Sequence, residues 1–200
     1  MSSDLTAEIA ASAARLVVEE GLEYGPAKRR AARDLGKRST RSAALPDNVA
    51  VEDEVRAYLA LFCADTQPGE LAALREVAAA WMERLAEFRP HLTGAVWRGT
   101  ATRHSDIYLQ LFCEDSKAAE IALIDMGVRF EARSVPGFQG ALVDALSVHV
   151  RSEALQINIG LHLMVYDQDD IRGALQPDAR GRSPRGDADA LRRLMENTTP

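Results

Sequence analysis

The stretch GAVWRGTATRHSDIYL, residues 94–109, separates two halves of the chain that follow different hydrophobic patterns. Before it, apolar residues recur every three or four positions, which is the spacing of one face of a helix. At its end the pattern changes to alternation, which places Asp106, Tyr108 and Gln110 on one face of a predicted strand. This change of period predicts helices in the first half and a mixed sheet in the second.

Two nearly identical segments support that division. YLALFCAD begins at residue 58, and YLQLFCED begins at residue 108. The first continues a helical spacing from Val51 and Val55, whereas the second follows the stretch RHSD. A repeat array normally needs at least three units. We therefore interpret the first copy as helix, the second as strand, and their similarity as a coincidence of aliphatic residues.

Four helices are predicted in the first ninety residues. Pro26 and Gly36 are suited to begin and end the second helix, and Asp47 or Asn48 can cap the third. The fourth helix, residues 68–88, has the clearest apolar stripe: Leu71, Leu74, Ala78, Trp81, Leu85 and Phe88. We expect this stripe to pack against the sheet.

The second half predicts one helix among several strands. The strand candidates are HLTGAVWRG (91–99), SDIYLQLFC (105–113), VRFEAR (128–133), SVHVRSE (147–153) and ALQINIGLHLMVY (154–166). In DSKAAEIALIDMG, Asp115 can cap a helix that Gly127 ends. QPDARGRSPRGD (176–187) is predicted to be a loop before a short last helix. The expected class is α+β, with a helical region over 1–66, an α/β core over 67–175 and a loop plus helix over 176–200.

Composition favours a folded protein. The chain has 200 residues, of which 46% are hydrophobic, enough for a substantial core. Cys63 and Cys113 lie in apolar runs without metal-ligand spacing, so we expect reduced packing residues. The N-terminus lacks a secretory pattern, and no apolar run is long enough to span a bilayer. We expect a cytoplasmic protein without a membrane partner.

Charge is distributed unevenly along the chain. The net charge is −6, yet seven basic residues and a single acid lie between Pro26 and Arg41. A solvated basic face is one interpretation, and contact with nucleic acid is the other. The second would use Lys28, Arg29, Arg30 and Arg33.

The stretch from Gly94 to Asp106 resembles the signature of the nucleotidyltransferase superfamily, which has the DNA polymerase β-like fold. That signature begins with Gly-Ser, continues through Arg-Gly and closes on Ser-Asp-x-Asp. The matching positions are Gly94, Arg98, Gly99, Ser105 and Asp106. The resemblance covers residues 70–175 and implies a mixed sheet with flanking helices. The N-terminal helices are similar to those of bacterial proteins that carry such a core.

The chemistry of this superfamily depends on carboxylates. Two Asp residues at positions i and i+2 of a strand, with a third acid from a neighbouring strand, hold two Mg²⁺ ions over a triphosphate. Here Ala95 replaces the signature serine, and Tyr108 replaces the second Asp. The strand ALQINIGLHLMVY contains no acid, and its polar face offers Gln156, Asn158, Gly160 and His162. We therefore expect the two-metal mechanism to be lost.

The resulting hypothesis is a nucleotidyltransferase-like module that binds a nucleotide, a phosphate or a protein partner and has a regulatory role. The alternatives are an active transferase, for which Asp106 would be the catalytic and Mg²⁺-binding residue, and a nucleic-acid-binding protein. We expect no cofactor unless the transferase is active. The candidate ligand-binding residues are Gly94, Arg98, Gly99, Thr100, Arg103, Ser105, Tyr108, Asn158 and His162.

Overall fold

The computed structural model describes residues 2–36, 45–138, 140–178 and 180–197, and these form eight α-helices and one six-stranded sheet. The helices are α1 (Ser2–Glu20), α2 (Tyr24–Asp34), α3 (Asn48–Phe62), α4 (Gln67–Arg84), α5 (Gly94–Arg98), α6 (Ser116–Asp125), α7 (Ile171–Ala174) and α8 (Ala188–Glu196). The strands are β1 (His91–Thr93), β2 (Ile107–Cys113), β3 (Glu131–Pro136), β4 (Leu142–Ser152), β5 (Ile157–Asp167) and β6 (Arg185–Gly186). Short 3₁₀ turns cover Ala86–Phe88 and Gln168–Asp170. The predicted α+β class with N-terminal helices is confirmed.

The chain divides into two compact units. The first comprises Met1–Glu70 and Thr100–Ser105, and the second comprises Leu71–Gly99 and Asp106–Pro200. The boundary therefore separates the serine of the Ser-Asp pair from its aspartate.

In the first unit, α1, α2 and α3 share a core that is rich in small residues. The buried residues include Ile9, Ala10, Ala13, Ala14, Ala27, Ala31, Ala32, Val51, Val55 and Leu59. Small side chains let helix axes approach closely.

The predicted helix ends in this unit can be compared with the structure. As predicted, Asp47 caps α3, because its carboxylate accepts a hydrogen bond from the Ala50 N–H at 2.7 Å. Helix α2 begins two residues before the predicted Pro26. Most of the predicted linker, residues 37–44, lies outside the described residues.

The segment Thr100–Ser105 belongs to this first unit and is held there by polar contacts. The Thr102 hydroxyl donates to the Val18 carbonyl at 3.3 Å, and the Gln67 amide donates to the Ala101 carbonyl at 2.9 Å. A Cβ at Gly21 would lie 2.2 Å from the His104 carbonyl oxygen. Only glycine therefore fits the contact at that position.

The second unit is built on the sheet, in the order β3-β4-β5-β2-β1-β6. Strands β2 and β5 are parallel, and the other neighbouring pairs are antiparallel. One face is apolar and buried, and its residues include Ile107, Leu109, Leu111, Ile159, Leu161 and Leu163. Helix α6 contacts β2 and β5 and, as predicted, is capped by Asp115 and ends before Gly127, which has φ +68°. The opposite face carries the polar residues of the predicted site.

Strand ends are shifted from their predicted positions, since β3 covers Glu131–Pro136 instead of 128–133 and β4 begins at Leu142 instead of residue 147. Three other predicted elements differ more strongly from the structure. Strand β1 ends at Thr93, because Gly94 turns the chain with φ +75°, and GAVWR forms α5 instead of a strand. Helix α4 ends at Arg84, followed by a 3₁₀ turn, so its predicted end at residue 88 was wrong. The predicted loop 176–187 contains β6, which pairs with β1.

Two expectations from composition concern the cysteines and membrane-spanning helices. Cys63 and Cys113 are both free cysteines, and Cys113 is buried. None of the described helices combines the length and hydropathy that crossing a membrane requires.

Candidate ligand site on the polar face of the sheet

A row of six residues, one from each strand, crosses the polar face of the sheet. Neighbours along it are direct cross-strand partners, in the order Glu131, Ser147, His162, Tyr108, Thr93 and Arg185. We call this set the polar row. Because adjacent strands lie about 4.8 Å apart, the row is about 24 Å long.

Asp106 lies beside the centre of the row and is held by β5. Its Oδ1 atom accepts a hydrogen bond from the Gly160 N–H at 3.2 Å, and its Oδ2 atom lies 3.1 Å from His162 Nε2. The Ser147 hydroxyl lies 2.9 Å from His162 Nδ1. An ionised carboxylate only accepts hydrogen bonds, so Nε2 carries a proton, and in the neutral ring Nδ1 accepts from Ser147. The contacts thus fix the orientation of the imidazole.

Tyr108 completes the centre of the site. Its ring stacks on His162, with the centroids 4.9 Å apart. Because both Asp106 and Tyr108 contact His162, they lie on one face of the sheet, as their spacing predicts. The Tyr108 side chain also lies under Gly94, whose added Cβ would be 3.5 Å from the ring.

The turn from Gly94 to Gly99 is fixed from α4. The buried Arg75 guanidinium donates through Nε to the Val96 carbonyl at 3.2 Å and through Nη2 to the Trp97 carbonyl at 3.5 Å. These contacts satisfy carbonyl groups at the end of a helix. Gly99, with φ +80°, ends α5 beside this arginine.

The other predicted ligand-binding residues are divided between the units. Thr100, Arg103 and Ser105 belong to the first unit, where the Ser105 hydroxyl accepts from the Thr102 N–H at 3.0 Å and the Arg103 N–H donates to Glu70 at 3.0 Å. Gly94, Arg98, Gly99, Asp106, Tyr108, Asn158 and His162 belong to the second unit. Asn158 is exposed and Arg98 half-buried. The structure therefore brings together Gly94, Asp106, Tyr108 and His162.

The basic segment is partly used within the first unit. Lys28 Nζ donates to the Pro46 carbonyl and to Asn48, both at 2.9 Å, and Arg30 pairs with Glu20. Arg29 and Arg33 are exposed on α2. Three further basic residues of the segment (Lys37, Arg38 and Arg41) lie outside the described residues. A nucleic-acid partner stays a prediction that rests on the exposed arginines.

The chain of Ser147, His162 and Asp106 combines the residue types of a catalytic triad, but its geometry favours binding. Ser147 lies in the middle of β4 with strands on both sides, so the nearby backbone N–H groups are used in sheet pairing and cannot form an oxyanion hole. Asp106 is more exposed than either of the other two residues: 47% of its side chain is accessible, against 25% for His162, and Ser147 is half-buried. The carboxylate can therefore accept further hydrogen bonds, for which hydroxyl or amino groups of a ligand are suited.

The residues at this site do not fit the two Mg²⁺ ions that the resemblance implies. Magnesium takes hard oxygen ligands in octahedral geometry, usually from carboxylates. Both oxygens of Asp106 already make hydrogen bonds, and its neighbours are an imidazole and a phenol. Throughout the described part of the chain, no three His, Cys, Asp or Glu residues are grouped as a metal site would need.

Sequence reasoning missed three residues that shape the site. Ser147 lies in a predicted strand, where its polar side chain alternates with the apolar Leu146 and Val148, and this alternation was an available signal. Arg75 and Arg185 gave no signal, because their roles depend on pairings between distant segments.

Replacing Gly160 by alanine is expected to displace the Asp106 carboxylate, because the new Cβ would lie 2.5 Å from Oδ1. A partly exposed carboxylate can turn away, so we expect the stability to fall by no more than about 1 kcal/mol. The ring resonances of His162 should shift in the NMR spectrum as they do in Asp106→Asn. Gly69→Ala is the control, because nothing lies within 4 Å of its added Cβ. Unchanged His162 resonances in Gly160→Ala would contradict the contact.

Comparisons with protein-family models, with curated proteins and with solved structures found no match to this chain. The nucleotidyltransferase resemblance therefore stays a prediction carried by the residues of the Gly94–Asp106 stretch. What the chain does has to be inferred from the site itself.

Proposed function

We propose that this chain is a nucleotidyltransferase-like binding module that holds a nucleotide or another phosphate-bearing ligand on the polar row and no longer transfers nucleotidyl groups. The observation that carries the proposal is the state of Asp106. The signature's remaining acid is bonded to the Gly160 N–H and to His162. At the positions where the resemblance implies metal ligands, Asp106 makes hydrogen bonds and Tyr108 stacks on His162.

The same groups suit a nucleotide. The half-buried rings of Tyr108 and His162 offer an aromatic surface on which a base can stack. The exposed oxygens of Asp106 can accept hydrogen bonds from ribose hydroxyls. A ligand bound in this way would not need a metal ion.

We expect the protein to bind at least one of ATP, CTP, GTP and UTP with affinities that differ by less than about threefold, or 0.7 kcal/mol, between EDTA and Mg²⁺. Isothermal titration calorimetry measures this directly. Asp106→Asn should weaken binding by about 3- to 10-fold, the range for a single hydrogen-bonding group. The matched control is Asp125→Asn, which changes an exposed carboxylate on α6 and should leave the affinity unchanged.

The same preparation should show no transfer of label from any of the four nucleotides. Mg²⁺-dependent transfer by the unmodified protein that disappears in Asp106→Asn would overturn the proposal and establish the active transferase. Absence of binding to all four nucleotides would overturn it as well.

A further inference from the structure

Arg185 is a buried cation at the end of the polar row. The residue is only 9% exposed, and its Nε and Nη1 atoms have no hydrogen-bond partner. Among the described residues, no carboxylate lies within ion-pair distance of its guanidinium. A buried charge without a partner is costly, and native proteins normally pair such groups. Among the described residues, the Nε and Nη1 atoms of Arg185 therefore lack the polar partner that a buried guanidinium normally has.

Several contacts hold β6, and hence Arg185, in place. Thr93, its neighbour in the row, donates through Oγ1 to the Pro184 carbonyl at 3.0 Å. The Trp97 indole N–H donates to the Ser183 carbonyl at 2.8 Å. The Trp97 ring also lies against Gly186, where an added Cβ would come within 2.2 Å of it. A two-residue strand is thus fixed on both sides of its arginine.

The surroundings of Arg185 include the aromatic side chains of Phe138 and Tyr166. Its guanidinium carbon lies 4.9 Å from the centroid of the Phe138 ring. Burial lowers the pKa of Arg185, and the nearby Tyr166 partly opposes this. Burial raises the pKa of Tyr166, so that phenol remains neutral. The buried Gln110 side chain on the same face has an Oε1 atom without a partner.

We propose that Arg185 is the phosphate-recognition residue of the polar row. A guanidinium can make two parallel hydrogen bonds to one phosphoryl group, and such bonds strengthen in a water-poor site. The Phe138 ring that covers the guanidinium is 36% exposed, so the ligand reaches Arg185 when this ring turns outward. This inference rests on the proposed function, because it assigns the phosphate end of the same ligand.

The test uses inorganic pyrophosphate and adenosine as separate probes, measured by calorimetry. Arg185→Met should weaken pyrophosphate binding by about 10- to 100-fold, the range for a charged hydrogen-bonding group. Adenosine binding should not change. Arg185→Lys keeps the positive charge but lacks the two parallel N–H donors of the guanidinium, so it should give an intermediate loss of pyrophosphate affinity. Arg192→Met is the matched control, because Arg192 is exposed on α8, and it should bind pyrophosphate like the unmodified protein.

A second readout separates recognition from a structural role. Without ligand, Arg185→Met should keep or raise the Tm, because an apolar side chain of similar length replaces an unpaired buried charge. A lower Tm together with weaker binding of both probes would mean that Arg185 serves the fold, and would overturn the inference. Unchanged pyrophosphate affinity in Arg185→Met would also overturn it, while the nucleotide titrations would still stand as the test of the proposed function.

Discussion

Replacing Trp81 by alanine is expected to lower the free energy of unfolding by about 3–5 kcal/mol, the range for emptying a buried aromatic site. Trp81 is 6% exposed and lies on the stripe of α4 that includes Leu74 and Ala78, both fully buried. The Arg84 guanidinium covers the indole at 4.2 Å from its centroid. The substitution therefore removes both apolar packing and a cation–π contact.

Urea unfolding followed by far-ultraviolet circular dichroism measures this loss without depending on tryptophan fluorescence, which the substitution changes. Ile124→Ala is the control within the same unit, because Ile124 is 63% exposed on α6. It should change the stability by no more than about 0.5 kcal/mol. Equal unfolding midpoints for the unmodified protein and Trp81→Ala would show that the indole is not packed in the core.

Local sequence patterns were sufficient where an element is defined by its own residues. The two segments YLALF and YLQLF differ at one position, yet the first lies in α3 and the second in β2. The residues that precede each segment decide whether it forms a helix or a strand. Val51 and Val55 extend a helical face, whereas Asp106 directly precedes a strand in which every residue except Tyr108 is buried. The N-terminal caps of α3 at Asp47 and of α6 at Asp115 were also predictable from the local sequence.

The polar row could be predicted only in part, because it depends on strand register. Alternation placed Asp106 and Tyr108 on one face, and the strand from 154 to 166 was expected to supply their neighbour. Which of its residues lies opposite Tyr108 is set by pairing between segments more than fifty residues apart. That register selects His162 and brings in Ser147 through the next strand. Asn158, the other candidate on this strand, is instead exposed.

The turn at Gly94 and strand β6 show a different limit. The stretch GAVWR has no helical period of its own, and α5 depends on the positive φ of Gly94 and on Arg75. Strand β6 has only two residues, too few for any pattern. Both elements exist because other segments bind them, which is information that the local sequence does not contain.

The register of the row makes a final prediction about metal binding. Tyr108→Asp combined with His162→Asp places two acids directly opposite each other on β2 and β5, beside Asp106. Three carboxylates on neighbouring strands are the ligand set that divalent ions prefer. The double variant should bind Mn²⁺ at least about 100-fold more tightly than the unmodified protein. Two unit charges about 4 Å apart attract by about 4 kcal/mol at an effective dielectric constant of about 20, and a divalent ion doubles that to about 8 kcal/mol for each added carboxylate. Desolvation and mutual repulsion of the acids offset much of this gain.

The matched control is Tyr108→Asn with His162→Asn, which has the same shape without the charge. Both double variants lose the imidazole that contacts Asp106, so any difference between them reports on the new carboxylates. Without metal, the Asp pair should have the lower Tm, because three acids repel one another. Mn²⁺ should raise the Tm of the Asp pair alone, since binding to the folded state stabilises it. Equal Mn²⁺ affinity in the two double variants would mean that the side chains at residues 106, 108 and 162 do not lie close enough to bind one ion. The strand register that defines the polar row would then be wrong. A metal-dependent Tm confined to the Asp pair would show that these three positions have the geometry of a metal site and that the native Tyr108 and His162 do not supply its ligands.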